Sequence, residues 1–262
     1  MRICAIQMTM RPFDAPYNFV HAEELIRRAA QDGADVVVLP EMWNTGFFPC
    51  ERVRASSDCD GEETRTRLGA LARELNVNLV AGSVSNRRGG ALTNTAFVFD
   101  RSGACIAEYD KVHLFAPMGE RALYRAGDRA VTFALDGHRC GILLCYDLRF
   151  PELARTLALA GAEVLFVPAQ WPAARIAHYE LLLAARAVED QAFVVGCNSC
   201  GTMEGVAFGG SSRILDPLGE PLAAAGGGEE ELVCAEPDFS LLTKVRSAID
   251  VYHDRRGEVY RL

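Results

Sequence analysis

The feature that most constrains this chain is a series of short apolar runs separated by stretches of helical periodicity. ICAIQM (3–8), DVVVLPE (35–41), VNLVAGSV (77–84), AEVLFVPA (162–169) and AFVVGCNS (192–199) read as strands, and DVVVLPE is apolar on both faces. Between Asn18 and Gln31 apolar residues recur at Phe19, Ala22, Leu25, Ile26 and Ala29, with Gly33 as a stop signal. Residues 62–76, a segment from about 151, and 174–190 also read as helices. Hairpin signals interrupt this alternation. NTAFVFD and GACIAEYDK flank Arg101-Ser102-Gly103, VTFAL and HRCGILLC flank Asp136-Gly137, and RILDPLGEPLAAA reads as a further hairpin before the late strand ELVCAEP. Strand–helix–strand units mixed with hairpins require a mixed sheet, or two sheets, with helices outside: an α/β (α+β) chain.

No Gly/Ser linker and no internal repeat divides residues 1–262, which read as a single domain. Half of the 262 residues are hydrophobic, enough for a substantial core. Gly226-Gly227-Gly228 with Glu229–Glu231 reads as an exposed turn. The polar stretch from about 239 to 262 reads as a C-terminal extension that packs on a partner subunit or stays mobile. The net charge of −8 excludes nucleic acid as a partner, because phosphate contact needs a basic face. MRICAIQMTM has no signal-peptide pattern and no apolar run reaches about 18 residues, so the expectation is a cytoplasmic protein without a membrane span. Nine cysteines, an odd number, several of them inside apolar runs, read mostly as buried thiols rather than a disulfide framework. Cys197-Asn-Ser-Cys200 lacks a second ligand pair at zinc spacing and closes a predicted strand instead of opening a helix, so neither a metal nor a redox role is expected of it.

Three residues with chemical potential share one context. Glu41 ends DVVVLPE, Lys111 ends CIAEYDK and Cys145 ends GILLC. Taken singly, they read as a cap or loop carboxylate, a surface cation and a core thiol. Taken together, an acid, a cation and a thiol at strand ends fit one pocket, since open α/β sheets bind ligands at the carboxyl ends of their strands.

The words around them sharpen this. LPEMWNTGF (39–47), YDKVHLF (109–115) and CYDLRFPE (145–152), with the opening ICAIQM and VPAQWPAARIAHYELLLAARAVEDQAFVVGCNSCG (167–201), resemble the signature blocks of the nitrilase superfamily, the carbon–nitrogen hydrolases. That resemblance implies a four-layer α-β-β-α sandwich of two mixed β-sheets with outer helices, a Glu41–Lys111–Cys145 catalytic triad, no cofactor, and a homodimer or higher homo-oligomer. It also implies a second glutamate between the lysine and cysteine blocks, the place held by Glu120 in APMGERALYRAG (116–127). The 167–201 block is similar to ω-amidase-like members, which hydrolyse the terminal amide of 2-oxo dicarboxylic acid monoamides such as α-ketoglutaramate. Those members more often carry Asn-Trp-Pro where this chain has Gln170-Trp171-Pro172.

Amide hydrolysis needs a nucleophile, a proton shuttle and an oxyanion stabiliser. On this resemblance Cys145 is expected to attack, Glu41 to shuttle the proton, Lys111 and the backbone N–H of Tyr146 to hold the oxyanion, and Glu120 to orient the lysine or the substrate nitrogen. A helix beginning just after Cys145, together with Lys111, is expected to favour the thiolate. Arg149 either pairs with a substrate carboxylate or forms an ion pair with Asp147, Glu152 or Glu189. Trp171 either walls the pocket or packs at a strand end, and His113 either lines the site or is an ordinary loop histidine. The competing activities are an N-carbamoyl-amino-acid or N-carbamoyl-amine amidohydrolase, which use the same triad, and, from another class, a metabolite-binding protein with an idle triad. A nitrile hydrolase fits the branch resemblance less well.

Overall fold

A computed structural model describes residues 1–260. Its first sheet contains β1 (Ile3–Gln7), β2 (Val36–Val38), β3 (Asp58–Cys59), β4 (Asn78–Arg88), β5 (Ala91–Phe99), β6 (Cys105–Asp110) and β15 (Glu231–Ala235), in the order β15-β1-β2-β4-β5-β6, with β3 paired to β4. β1, β2 and β4 run parallel, while β15, β5 and β6 add antiparallel. The second sheet has the order β14-β13-β10-β9-β8-β7, built from β7 (Thr132–Leu135), β8 (His138–Ile142), β9 (Val164–Ala169), β10 (Phe193–Asn198), β13 (Arg213–Leu215) and β14 (Pro221–Ala224). Here β8, β9 and β10 are the parallel core.

Strand alternation sorts the side chains into layers. Val36, Val38, Val80, Val98, Ile142, Val164, Phe166 and Val195 fill the space between the sheets. Val37 and Leu79 face the other way, onto α1 (Ala15–Gln31) and α3 (Glu62–Leu75). Leu165, Val167 and Val194 face α5 (Pro151–Leu159) and α6 (Ile176–Asp190). The result is the expected four-layer α-β-β-α sandwich. α1 is started by Asp14, whose side chain accepts the Tyr17 N–H, and its buried stripe includes all five apolar positions read from the spacing. The Asp136-Gly137 turn has both residues at positive φ (47° and 88°), as a two-residue hairpin with a primed turn requires.

The structure departs from the sequence reading in three places. DVVVLPE is a strand only over Val36–Val38, and Leu39-Pro40 already leaves the sheet. β11 (Cys200–Met203) and β12 (Val206–Gly209) form an unforeseen ladder, joined by Glu204-Gly205 with both residues at positive φ. Glu-Gly lacks the Asn-Gly or Asp-Gly signature that marks such turns. Third, Cys4 and Cys234 are joined in a disulfide, because β1 and β15 place them directly opposite one another, while Cys59 is an exposed thiol.

The C-terminal stretch carries α7 (Ser240–Ala248) and closes on its own chain. Leu242 is buried in the core, Arg246 donates to the Gln191 carbonyl, Gln191 donates to the Ile249 carbonyl, and the Tyr252 hydroxyl donates to the Asp190 carbonyl. The last two positions of the expected extension, 261 and 262, lie outside the described residues.

Candidate active site

Glu41 owes its position to an irregularity in β4. The pairing of β4 with β5 shifts register between Val80 and Ser83, and Gly82 sits there at φ 56°. A Cβ on Gly82 would fall 2.0 Å from the Pro40 carbonyl oxygen, so only glycine lets the Leu39-Pro40 turn approach. The Ser83 N–H donates to Pro40 (3.1 Å), the Met42 N–H to the Ser83 hydroxyl (3.0 Å) and the Trp43 N–H to the Ser83 carbonyl (3.1 Å). Gln170 clamps the same loop from the second sheet. Its amide donates to the Glu41 carbonyl (2.7 Å) and accepts from the Phe47 N–H (3.0 Å), and its backbone N–H donates to Glu41 Oε2 (3.1 Å).

Lys111 lies just beyond β6, its N–H bonded to the Asn94 carbonyl (2.9 Å). Its fully buried ammonium donates to Glu41 Oε1 (2.8 Å) and to Glu120 Oε2 (2.9 Å). Glu120 opens the short helix α4 (Glu120–Leu123) and also accepts the Phe115 N–H (2.6 Å). Asn94, on β5, donates from one Nδ2 to Glu41 Oε1 (2.9 Å) and to Glu120 Oε1 (3.0 Å). Burial alone would push the lysine toward neutrality, but Glu120 and Glu41 more than reverse this and hold it well above its ordinary value. Burial raises Glu120, and Lys111 only partly pulls it back.

Cys145 comes after β8 at a sharp turn where its own φ is 45°, a left-handed conformation rarely adopted by residues other than glycine. The chain then makes a single 3-10 turn over Cys145–Arg149, and the α-helix begins only at Pro151. The Tyr146 N–H lies at the start of that turn, where backbone donors have no acceptor within the turn. Asp147 locks the corner by accepting from the Leu144 N–H (2.9 Å), the Tyr109 hydroxyl (2.6 Å) and the His113 N–H (2.9 Å).

These findings correct the expectation of a resting thiolate. Burial and the Glu41 charge raise the Cys145 thiol well above its ordinary value, and Lys111 offsets only part of this. The balance at the sulfur therefore runs toward the protonated thiol, and the α-helix whose dipole was expected to oppose this begins only at Pro151.

Cys145 opens into a cleft lined by Phe47, Phe115, Tyr146, Gln170 and Trp171 among others. Its charged lining groups are Arg149 and Arg175. Arg149 lies over the Trp171 ring at 4.7 Å and Arg175 over the Phe115 ring at 5.7 Å. Among the described residues neither has a carboxylate partner; Glu189 pairs with Arg186, and Asp147 is taken by His113. Trp171 satisfies both of its sequence readings, walling the cleft while packing on Tyr179. His113 is not in the lining. Its ring stacks on Phe150 at 3.7 Å and its Nδ1 bonds Asp147 (2.8 Å), so it supports the turn from behind. Asn94 and Arg175, with the lining residues Phe47 and Phe115, are among the site residues that sequence reasoning missed. Among the described residues no cluster of three or more His, Cys, Asp or Glu is arranged to hold a metal ion, and the Cys197 thiol donates to the Ile6 and Val38 carbonyls.

Known proteins resemble this chain over nearly its whole length. A 2-oxoglutaramate amidase of Bacillus subtilis (strain 168) is 41% identical over 95% of this chain and 96% of its own. A mutant of the amidase from Nesterenkonia sp. AN1, with acrylamide added at its active-site cysteine, superposes with a TM-score of 0.86 at 29% identity, covering 99% of this chain and 98% of its own. Nit3 of Saccharomyces cerevisiae, a member of the nitrilase superfamily, gives a TM-score of 0.91 at 28% identity, covering 98% and 96%. The carbon-nitrogen hydrolase family model matches residues 2–247, and with the sandwich and the buried Glu41–Lys111 pair in place, this chain belongs to that family of enzymes.

Proposed function

We propose that this enzyme hydrolyses the terminal amide of a small carboxylated substrate, the ω-amide of a 2-oxo dicarboxylic acid such as α-ketoglutaramate. The observation that carries the reading is a cleft with Cys145 lining its wall and two guanidiniums, Arg149 and Arg175, as its charged lining groups. A substrate carboxylate would meet a planar, bidentate donor there. The similarity to a 2-oxoglutaramate amidase supports the same choice.

The chemistry is set by the hydrogen bonds. Lys111 and Asn94 hold Glu41 Oε1, so the carboxylate keeps one orientation toward the thiol. Cys145 Sγ attacks the amide carbon while its proton passes to Glu41. A thiol held neutral by burial makes proton transfer concerted with attack the favourable route. The oxyanion is held by the Lys111 ammonium and the Tyr146 N–H. Collapse breaks the C–N bond, Glu41 returns the proton to nitrogen, and ammonia leaves a thioester on Cys145. Water, deprotonated by Glu41, then releases the acid and restores the thiol.

The test is ammonia release from a panel of 2-oxo dicarboxylic acid monoamides, uncharged amides and N-carbamoyl amino acids. Fastest turnover of the first group is expected, with loss of roughly 10³-fold or more in Cys145→Ala. Fastest turnover of carbamoyl compounds, with carbon dioxide released alongside ammonia, would replace this reading by the amidohydrolase. Ligand binding without turnover would leave only a metabolite-binding protein. The reading extends to a cytoplasmic homodimer, in which a second copy covers the exposed Leu181 and Val188 of α6. Light scattering should then read twice the 28.6 kDa chain mass.

A further inference from the structure

Glu41 and Glu120 are linked twice. Lys111 Nζ donates to Glu41 Oε1 at 2.8 Å and Glu120 Oε2 at 2.9 Å. Asn94 Nδ2 donates to Glu41 Oε1 at 2.9 Å and Glu120 Oε1 at 3.0 Å. All four side chains are fully buried. Two carboxylates thus share one cation in a site remote from bulk water. Like charges at such separation, away from solvent, favour retention of a proton by one of them. A proton held on Glu41 would remove the base.

We propose that Asn94 is a positioning residue that keeps Glu41 ionised and aimed at the nucleophile, by giving one amide hydrogen to each carboxylate. The proposal rests on the hydrolytic reading of the site and adds to it a residue that touches neither substrate nor sulfur. Asn is suited to this place because its Nδ2 carries two donor hydrogens on one atom without adding charge. A hydroxyl offers one hydrogen, and a second lysine would change the charge of the cluster. The amide orientation is fixed by its partners: an ionised carboxylate only accepts, so nitrogen must face the pair. Its Oδ1 has no protein partner among the described residues, so nothing else dictates that orientation. The same residue's carbonyl accepts the Lys111 N–H, so Asn94 holds the lysine's backbone and the lysine's two counter-ions together.

The other titratable groups facing the pair are Lys111, Cys145, Tyr124 and Tyr179. Burial holds the thiol and both phenols neutral, and the two carboxylates hold the lysine charged.

The deciding experiment compares wild type with Asn94→Leu, which keeps the bulk and removes both donors, and Asn94→Asp, which adds a third carboxylate. For Asn94→Leu, kcat at neutral pH should fall about 10- to 100-fold with KM within about threefold, and the acid limb of kcat/KM should move up by about one pH unit. Part of kcat should return at alkaline pH. Asn94→Asp should lose more at neutral pH and should not recover. Infrared difference spectra with labelled glutamate give a readout without substrate: the protonated buried-carboxyl band should persist to higher pH in Asn94→Leu than in wild type. A folded Asn94→Leu enzyme with an unmoved acid limb and an unmoved carboxyl band, or with raised KM at constant kcat, overturns the proposal. If wild type releases no ammonia from any amide, the functional reading falls, while the infrared titration still decides the role of Asn94.

Discussion

Asp147 has no part in the chemistry, yet it ties the nucleophile's turn to the loop just beyond the lysine. Its buried carboxylate accepts from the Leu144 N–H, the Tyr109 hydroxyl, the His113 N–H and the His113 ring. Asp147→Ala would leave buried backbone donors unpaired at a corner already held at positive φ. It should cost about 3 kcal/mol of stability in a denaturant titration. Activity should fall at least about tenfold at a temperature where the variant is still folded. Glu41, Lys111 and Cys145 stood out in the sequence because each ends a strand-like run with a reactive group, amid words that a known family shares. Asn94 was not, because its role is two hydrogen bonds to residues 53 and 26 positions away, inside a stretch that reads as ordinary hairpin. Arg175 was hidden for a similar reason: a helix-entry arginine becomes a cleft residue only once Phe115 stands beneath it. Of the two readings of His113, the lining one is not what the structure shows: its ring stacks on Phe150 behind the turn, so closeness to Lys111 along the chain did not become closeness in the cleft.

Among the elements, the corner where β1, β15 and α1 meet shows how one side chain joins three segments. Glu230 accepts from the Thr9 N–H (2.7 Å), the Thr9 hydroxyl (2.7 Å) and His21 Nε2 (2.6 Å). Burial would raise its pKa, but His21 and Thr9 prevail and bring it down to about 2, while the Glu230 hydrogen bond raises His21 above 6.5. Glu230 therefore stabilises the fold above its ordinary value of 4.5, and this is lost as pH falls toward about 2. The His21 contribution is complete below 6.5 and fades as pH rises through its raised value. Glu230→Gln should thus cost about 1 kcal/mol near pH 5.5, measured by urea unfolding, and less at pH 9 and at pH 3. The regular elements were legible at this scale because apolar period and turn residues are local. The β4 bulge at Gly82 and the Glu204-Gly205 ladder were not, because one exists to admit the Pro40 carbonyl and the other uses an unusual turn pair.

For the whole molecule, the sandwich was legible from strand alternation together with the family blocks, but the pairing of its first and last strands was not. Cys4 and Cys234 lie 230 residues apart, and nothing near either one marks the other; only the antiparallel register of β1 and β15 brings them together. Closing so long a loop restricts the unfolded chain by up to about 5 kcal/mol in the loop-entropy description. Topologically the bond turns nearly the entire polypeptide into a ring with two short tails. A protease that makes one cut anywhere between these cysteines would therefore open the ring without dividing the molecule. Singly nicked protein should migrate as one species on a denaturing gel without reductant and as two fragments once reductant is added; two fragments under both conditions would mean that the ring is not closed.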